Sequence, residues 1–288
     1  MFPIEIPSSL RQDQRMTSNH PTLVCLDFDG TIMRYDQPPD HFHPEVIDAL
    51  NRLQQAGIPW ISNSGRDYPS QLDIIGHSRD EYGLAAMPLA ILHSECFIHI
   101  NAESNYTPLE HWNNSMKRDL ESLQEHIASA VKEDIEALVR GQSSAESVYY
   151  DQAAVFIHRG PEDERQTFIA GLNSLLEPIA GAHVIQNGEF ISVIHERAGK
   201  GNLLRAYLEY SEISPSDVLA IGDHDNDITM LDGSVTPHVA CPGNSFPPVR
   251  EVVRQAGGYL AEAHGPAGTV EALQFYFPDI LKTEFQSV

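Results

Sequence analysis

Thr22-Leu23-Val24-Cys25-Leu26-Asp27-Phe28-Asp29-Gly30-Thr31 is the stretch on which the fold turns. A short apolar run that breaks off at an acid predicts a strand buried on both faces of a parallel sheet. Two carboxylates two residues apart leave an extended segment on the same side, so Asp27 and Asp29 can address one reacting group. They sit at the strand's carboxyl end, the edge where open α/β sheets bind ligands. An acidic turn would explain Asp-x-Asp alone. The continuation into Gly30-Thr31, directly after a strand, is far rarer and marks the pair as chemical.

Outward from this strand the rhythm is regular. His43 to Gly57 carries Val46, Ile47, Leu50 and Leu53 at helical spacing and stops on glycine. Ile58–Asn63 and Leu89–Leu92 are further apolar stretches. Lys200–Tyr210 reads as a helix, Val218–Ile221 and His238–Cys241 as strands, and Thr269–Phe277 as a closing helix. Alternation of this kind predicts a Rossmann-like, doubly wound α/β sheet. The middle differs. A long polar helix over Asn114–Arg140 precedes strands at Val148–Asp151 and Ala154–His158, a helix at Glu162–Leu176, and strands at His183–Gln186 and Phe190–His195 around the Asn187-Gly188 turn. This is an α+β insert. The expected organisation is a tail over 1–20, a core over 21–98 and 190–288, and an inserted unit over 99–189.

The chain has 288 residues, with 41 acidic against 18 basic side chains and a formal charge of −23. Protonating all 14 histidines would still leave −9 (−23 + 14), so nucleic acid and anionic membranes meet net repulsion. An anionic ligand then requires a local device, a metal or a few placed cations. Cys25, Cys96 and Cys241 are odd in number and far apart, which argues against a disulfide framework. With no long apolar run and no basic, apolar leader over 1–20, a cytoplasmic protein is expected.

A second acidic loop, Gly222-Asp223-His224-Asp225-Asn226-Asp227, follows Val218–Ile221, again at a strand's carboxyl end. Carboxylates with an amide suit a hard cation such as Mg²⁺ or Ca²⁺. A calcium-binding EF-hand is excluded, because Ile228 replaces its glycine and Ser234 its bidentate glutamate. Ser64-Gly65-Arg66 follows the second strand, where hydroxyl, backbone N–H and guanidinium can hold phosphate. Gly199-Lys200-Gly201 opens a helix and can bring an ammonium to an anion. It is not a P-loop, since Ile194 stands where the first glycine belongs, and Ser62 in place of glycine excludes a nucleophile elbow around Ser64.

In that order and spacing, from residue 27 to residue 227, the four motifs resemble the haloacid dehalogenase superfamily of phosphatases. The insert resembles the type-IIB cap of its Cof-like, trehalose-phosphatase-like and sucrose-phosphatase-like branches. Cys241-Pro242-Gly243-Asn244-Ser245 resembles the family's strand-end segment with its Asn, and Ser94-Glu95-Cys96-Phe97-Ile98 is closer to the sucrose-phosphatase pattern than to the Cof-like one. The resemblance implies that Asp27 attacks phosphorus and that Asp29 first protonates the leaving alkoxide, then activates water. It implies Mg²⁺ held by Asp27, the backbone carbonyl of Asp29 and Asp223, with Asp227 ordering the metal's water or Lys200. Ser64, Gly65 and Lys200 are implied in phosphate binding, and adjacent anions are expected around Asp29. Asn226 and Asn244 stand as site walls or turn formers. Arg66 stands equally for a phosphate contact or for a pair with Asp67 or another acid. The implied substrate is a small phosphate ester, a sugar phosphate above all. A phosphosugar mutase and a non-catalytic binder of the same fold are the alternatives, and oligomeric state is not legible.

Overall fold

The computed structural model describes residues 20–34, 41–102, 105–148 and 153–281. The tail expected over 1–20 therefore lies almost wholly outside the described residues. From Leu23 the chain runs β1 (Leu23–Leu26), α1 (Pro44–Gln55), β2 (Trp60–Asn63), α2 (Tyr68–Tyr82), β3 (Ala90–His93), β4 (Phe97–Ala102) and β5 (Asn105–Pro108). Then come α3 (Glu110–Ala130), α4 (Lys132–Arg140), β6 (Ala145–Val148), β7 (Ala154–His158), α5 (Glu162–Leu176), β8 (Ala182–Asn187) and β9 (Phe190–His195). The last third holds α6 (Lys200–Ser211), β10 (Val218–Ile221), α7 (Ile228–Leu231), β11 (His238–Cys241), α8 (Pro247–Gln255), β12 (Tyr259–Leu260), α9 (Gly265–Tyr276) and α10 (Pro278–Leu281).

Eight strands form one sheet in the order β12-β11-β10-β1-β2-β3-β4-β5, parallel as far as β3 and antiparallel through β4 and β5. The period-2 alternation of β1 feeds both faces. Val24 and Leu26 join the core under α1 and α9, whereas Leu23 and Cys25 join the core under α6 and α8. All four residues are buried, as a strand covered on both sides requires. Because β1 sits between β2 and β10, the chain leaves it in one direction and returns on the other side. That switch point opens a crevice at the strand ends, and Asp27 donates its N–H to the Ile221 carbonyl there, at 3.0 Å.

A second, antiparallel sheet runs β6-β7-β9-β8. One face packs Phe156, Ile191 and Val193 against α3, α4 and α5. The opposite face turns Val155, Ile185, Phe190 and Ser192 toward the end of the large sheet. Helix α3 belongs to both units: Met116 and Leu120 pack with Cys96 and Phe97 of the core, Leu123 and Ile127 with the insert. The return connection is held by Arg197, which pairs with Asp119, donates from Nη1 to Ser115 Oγ at 3.1 Å and lies 5.6 Å from the Trp112 ring centroid.

Several expectations need correction. Sheet pairing places β4 and β5 in the large sheet and β9 in the small one, so the insert by pairing runs from after Pro108 to His195 rather than over 99–189. The long helix over 114–140 is two helices, broken at Val131, whose φ of −135° lies outside the helical region while its side chain joins the insert's core. The strand expected at Val148–Asp151 is β6, ending at Val148; residues 149–152 lie outside the described residues. The closing helix starts four residues earlier, at Gly265. Among the described residues no helix is long and apolar enough to cross a membrane.

Candidate active site

Lys200 is the hub of the site. Its chain rises from the first turn of α6, 1% exposed, and its Nζ donates to Asp27 Oδ1 at 2.7 Å and to Asp227 Oδ1 at 2.6 Å. Burial opposes the ammonium, yet Asp227 and Asp27 overcome it and raise the Lys200 pKa, so the group stays charged. Asp227 is held from both sides: its other oxygen accepts the backbone N–H groups of Asp223 and His224 at 2.8 and 2.9 Å. That arrangement folds the 222–227 loop tightly enough that a Cβ on Gly222 would come within 2.5 Å of Asp227 Cγ. Asp227 thus joins the Lys200 ammonium to the loop backbone.

Asp223 accepts from Thr31 Oγ1 at 2.9 Å and from Asn244 Nδ2 at 3.3 Å. Asn244 also donates to the Gly30 carbonyl at 3.1 Å and accepts from the Gly265 N–H, so it ties the strand-end segment to the first motif. Gly30 adopts φ 75°, the left-handed conformation that turns Asp29 back over the strand ends. Arg66 resolves to its acid partner: Nε and Nη2 each donate to an Asp29 oxygen at 2.7 Å, a bidentate pair that raises the Arg66 pKa. Asp29 therefore meets a cation rather than the expected surround of anions. Ser64 Oγ accepts from the Arg66 N–H at 3.3 Å.

A ligand oxygen from Asp27, Asp223 and Asp227 can be chosen so that all lie within 4.8 Å of one another, and all three residues are buried. Against the single ammonium of Lys200 they leave two uncompensated negative charges (three minus one), a deficit that a divalent cation would neutralise. The donors are all oxygen, as a hard cation prefers. Burial pushes the Asp27 carboxyl well above the usual carboxylate range; Lys200 pulls it back, while Asp227 and Asp223 push the same way as burial. This set fits a magnesium-type ion.

Above the cluster lies a cavity of about 930 Å³ between the two sheets. Its floor includes Asp27, Asp29, Ser64, Gly65 and Arg66, and its roof includes Asn187, Glu189 and Phe190 from the insert. The structure brings together every residue singled out from sequence: Lys200, Asp223, Asn226, Asp227 and Asn244 lie under or beside that floor. Residues outside the expected set also enter. His224 accepts the Asp225 N–H at its Nδ1, at 2.9 Å, and packs on Phe246 with ring centroids 3.9 Å apart. Glu95, 4% exposed, lines the cavity and accepts from Asn226 Nδ2 at 2.7 Å; burial raises its pKa. The available signal for Glu95 was a Ser-Glu pair wedged between two apolar runs at a strand end.

A family model for sucrose-6F-phosphate phosphohydrolase matches residues 20–277. The chain belongs to that family. It is thereby placed in the haloacid dehalogenase superfamily, with a capped Rossmann-like core. Among solved structures, the sucrose-phosphatase from Synechocystis sp. PCC6803, in complex with sucrose and phosphate, is similar at TM-score 0.65 and 17% identity over 91% of this chain and 100% of that one. A phosphatase of the same superfamily from Bacteroides thetaiotaomicron is similar at TM-score 0.62 and 16% identity, over 91% and 97%. At such identities the likeness is one of fold. A phosphoglycolate phosphatase from Methanospirillum hungatei is 34% identical over 98 residues, and the match spans 34% of this chain and 40% of that relative.

Proposed function

We propose that the protein is a Mg²⁺-dependent phosphatase that hydrolyses a sugar phosphate through an aspartyl-phosphate on Asp27. The observation that carries this reading is the buried cluster of Asp27, Asp223 and Asp227 with Lys200, opening onto a cavity that also holds Asp29. Asp27 has one oxygen on Lys200 and the other available for in-line attack on phosphorus. Ser64, the Gly65 backbone and Lys200 hold the phosphoryl oxygens. Asp29 protonates the departing alkoxide and then takes the proton of the water that attacks the acyl phosphate, so phosphate leaves and Asp27 is regenerated. Arg66, bonded to both Asp29 oxygens, favours the ionised form that takes the water's proton, and the pair opens when Asp29 carries the proton it gives to the alkoxide. Mg²⁺ on Asp27, Asp223 and the Asp29 carbonyl would supply charge neutralisation of the phosphoryl oxygens.

The cavity favours a neutral polyhydroxylated leaving group. Asp67, Glu95 and Glu189 line it besides the two catalytic acids, while Arg66, its one cation among the described residues, is spent on Asp29. A carboxylate on the leaving group about 6 Å from one such acid would lose roughly 3 kcal/mol at an effective dielectric of 20. This weighs against phosphoglycolate. The shortage of free cations also weighs against a mutase, which must hold two phosphates. Phe190 and Phe246, 44% and 39% exposed, both face the cavity and offer apolar surface to the C–H face of a sugar ring.

The test is phosphate release from disaccharide phosphates, hexose phosphates, polyol phosphates and phosphoglycolate, with Mg²⁺ and with EDTA. Sugar phosphates should lead phosphoglycolate by about 10²-fold in kcat/KM, following the repulsion above, and EDTA should abolish release. Activity retained in EDTA, or phosphoglycolate as the best substrate, would contradict the reading.

A further inference from the structure

Glu95 is a carboxylate in an awkward place. It is almost fully buried, beside a site meant for a phosphate dianion, and both it and Ser94 adopt left-handed backbone, with φ of 58° and 51°. Each such non-glycine residue costs on the order of 1–2 kcal/mol, and strain of this kind persists where the surroundings enforce it. The surroundings are specific. The Glu95 carbonyl accepts the Gly199 N–H at 2.7 Å, which fixes the turn to the residue before Lys200. Its Oε1 accepts from Asn226 Nδ2, and because a carboxylate only accepts, that contact also fixes which way the Asn226 amide faces. Asn226 is not a cavity-lining residue; Glu95 is. The amide therefore props the carboxylate from below, and Oε2 makes no hydrogen bond among the described residues.

The oxygen that borders the space at Gly65 is Oε1, the same atom that accepts from Asn226 and that can take a second donor. A Cβ built there would stand 3.4 Å from Glu95 Oε1 and 3.5 Å from Asn187 Nδ2 of the insert, so a core acceptor and a roof donor address one point beside the phosphate cradle. We propose that Glu95, supported by Asn226 and opposed by Asn187, is a specificity-determining residue that accepts a hydrogen bond from a leaving-group hydroxyl close to the phosphoester. The inference rests on the phosphatase reading and names what that site demands: a free hydroxyl near the ester oxygen. A hydroxyl donating to a carboxylate in a desolvated cleft is the kind of contact whose loss discriminates strongly.

The experiment compares kcat/KM for the best sugar phosphate with kcat/KM for p-nitrophenyl phosphate, whose leaving group has no hydroxyl to donate. The ratio is measured in the wild type, Glu95→Ala, Glu95→Gln and Asn187→Ala, with Mg²⁺ present and folding checked by circular dichroism. Glu95→Ala should lower the ratio by about 10- to 100-fold, the range of a hydrogen bond to a charged group. Glu95→Gln, which retains an acceptor, should recover part of it, and Asn187→Ala should fall between. Equal losses on both esters, leaving the ratio at its wild-type value, would overturn the proposal while the phosphatase reading stands. A wild type that releases phosphate from neither ester would overturn both.

Discussion

Lys200 is worth more to this protein than its single charge suggests, because among the described residues it is the one ammonium bonded to Asp27 and Asp227. Lys200→Met would leave those two buried carboxylates unpaired. Breaking such a pair costs about 3–5 kcal/mol, so urea denaturation at pH 7 without divalent cations should show a loss of that size; a loss under about 1 kcal/mol would mean the acids are neutralised otherwise. His93 makes a prediction of the opposite kind. Burial, with His99 adding to it and Asp67 opposing, holds its pKa down at about 3 from 6.5, and its Nε2 lies 3.0 Å from His99 Nδ1. The unfolded chain takes up this proton first as pH falls. The stability due to neutral His93 is therefore complete above pH 6.5 and is lost toward pH 3, with a slope of about 1.4 kcal/mol per pH unit. His93→Asn should remove that slope from the urea-derived stability between pH 4 and 6; an unchanged slope would refute it. At this scale the sequence was informative where rare residue types recur at fixed spacing: Asp27, Asp29, Lys200, Asp223 and Asp227 all stand in the site. Glu95 and His224 were not legible, since each is a single polar residue whose role depends on contacts 131 and 22 positions away, to Asn226 and Phe246.

Elements carry the second layer of constraint, and two glycines show it. Gly201, in the first turn of α6, would place a Cβ 2.2 Å from the Thr229 carbonyl oxygen. Backbone cannot yield there, so Gly201→Ala should destabilise by about 1–3 kcal/mol and displace Lys200, its neighbour. Gly76, in the middle of α2, has nothing within 4 Å of its Cβ position. Gly76→Ala should stabilise by about 0.5–1 kcal/mol through helix propensity alone. Thermal denaturation of the two variants should move in opposite directions; movement in the same direction would mean α6 does not press on α7. The strands β1, β10 and β11 were readable because apolar runs ended at Asp27, Gly222 and Pro242. The break at Val131 was not, for no glycine or proline marks it and a buried Val continues the helical pattern. Sheet membership is legible only from pairing for a related reason: Phe97–Ala102 and Phe190–His195 are both six-residue strands opening on Phe-Ile, yet they join different sheets.

At the level of the whole molecule, the formal charge of −23 is compatible with a phosphorylated ligand because the site places two cations among its acids. Lys200 lies under the floor and Arg66 is part of it, while a divalent cation fits the remaining excess of negative charge. The two sheets divide the work. The large one fixes Asp27, Ser64 and Asp223 at a switch point, and the small one roofs the cavity with the alternate residues that its own core does not use. Fold class and superfamily were legible because a parallel sheet leaves its strand ends punctuated in sequence. The cavity's roof was not, since it forms where residues 187–190 of the insert come down over loops from the core. The most direct test of the central claim is Mg²⁺-dependent phosphate release from the best sugar phosphate by the wild type and by Asp27→Asn, with folding verified by circular dichroism. Loss of the nucleophile should lower kcat by about 10³-fold or more in a folded protein; a folded Asp27→Asn variant that keeps substantial turnover would contradict it.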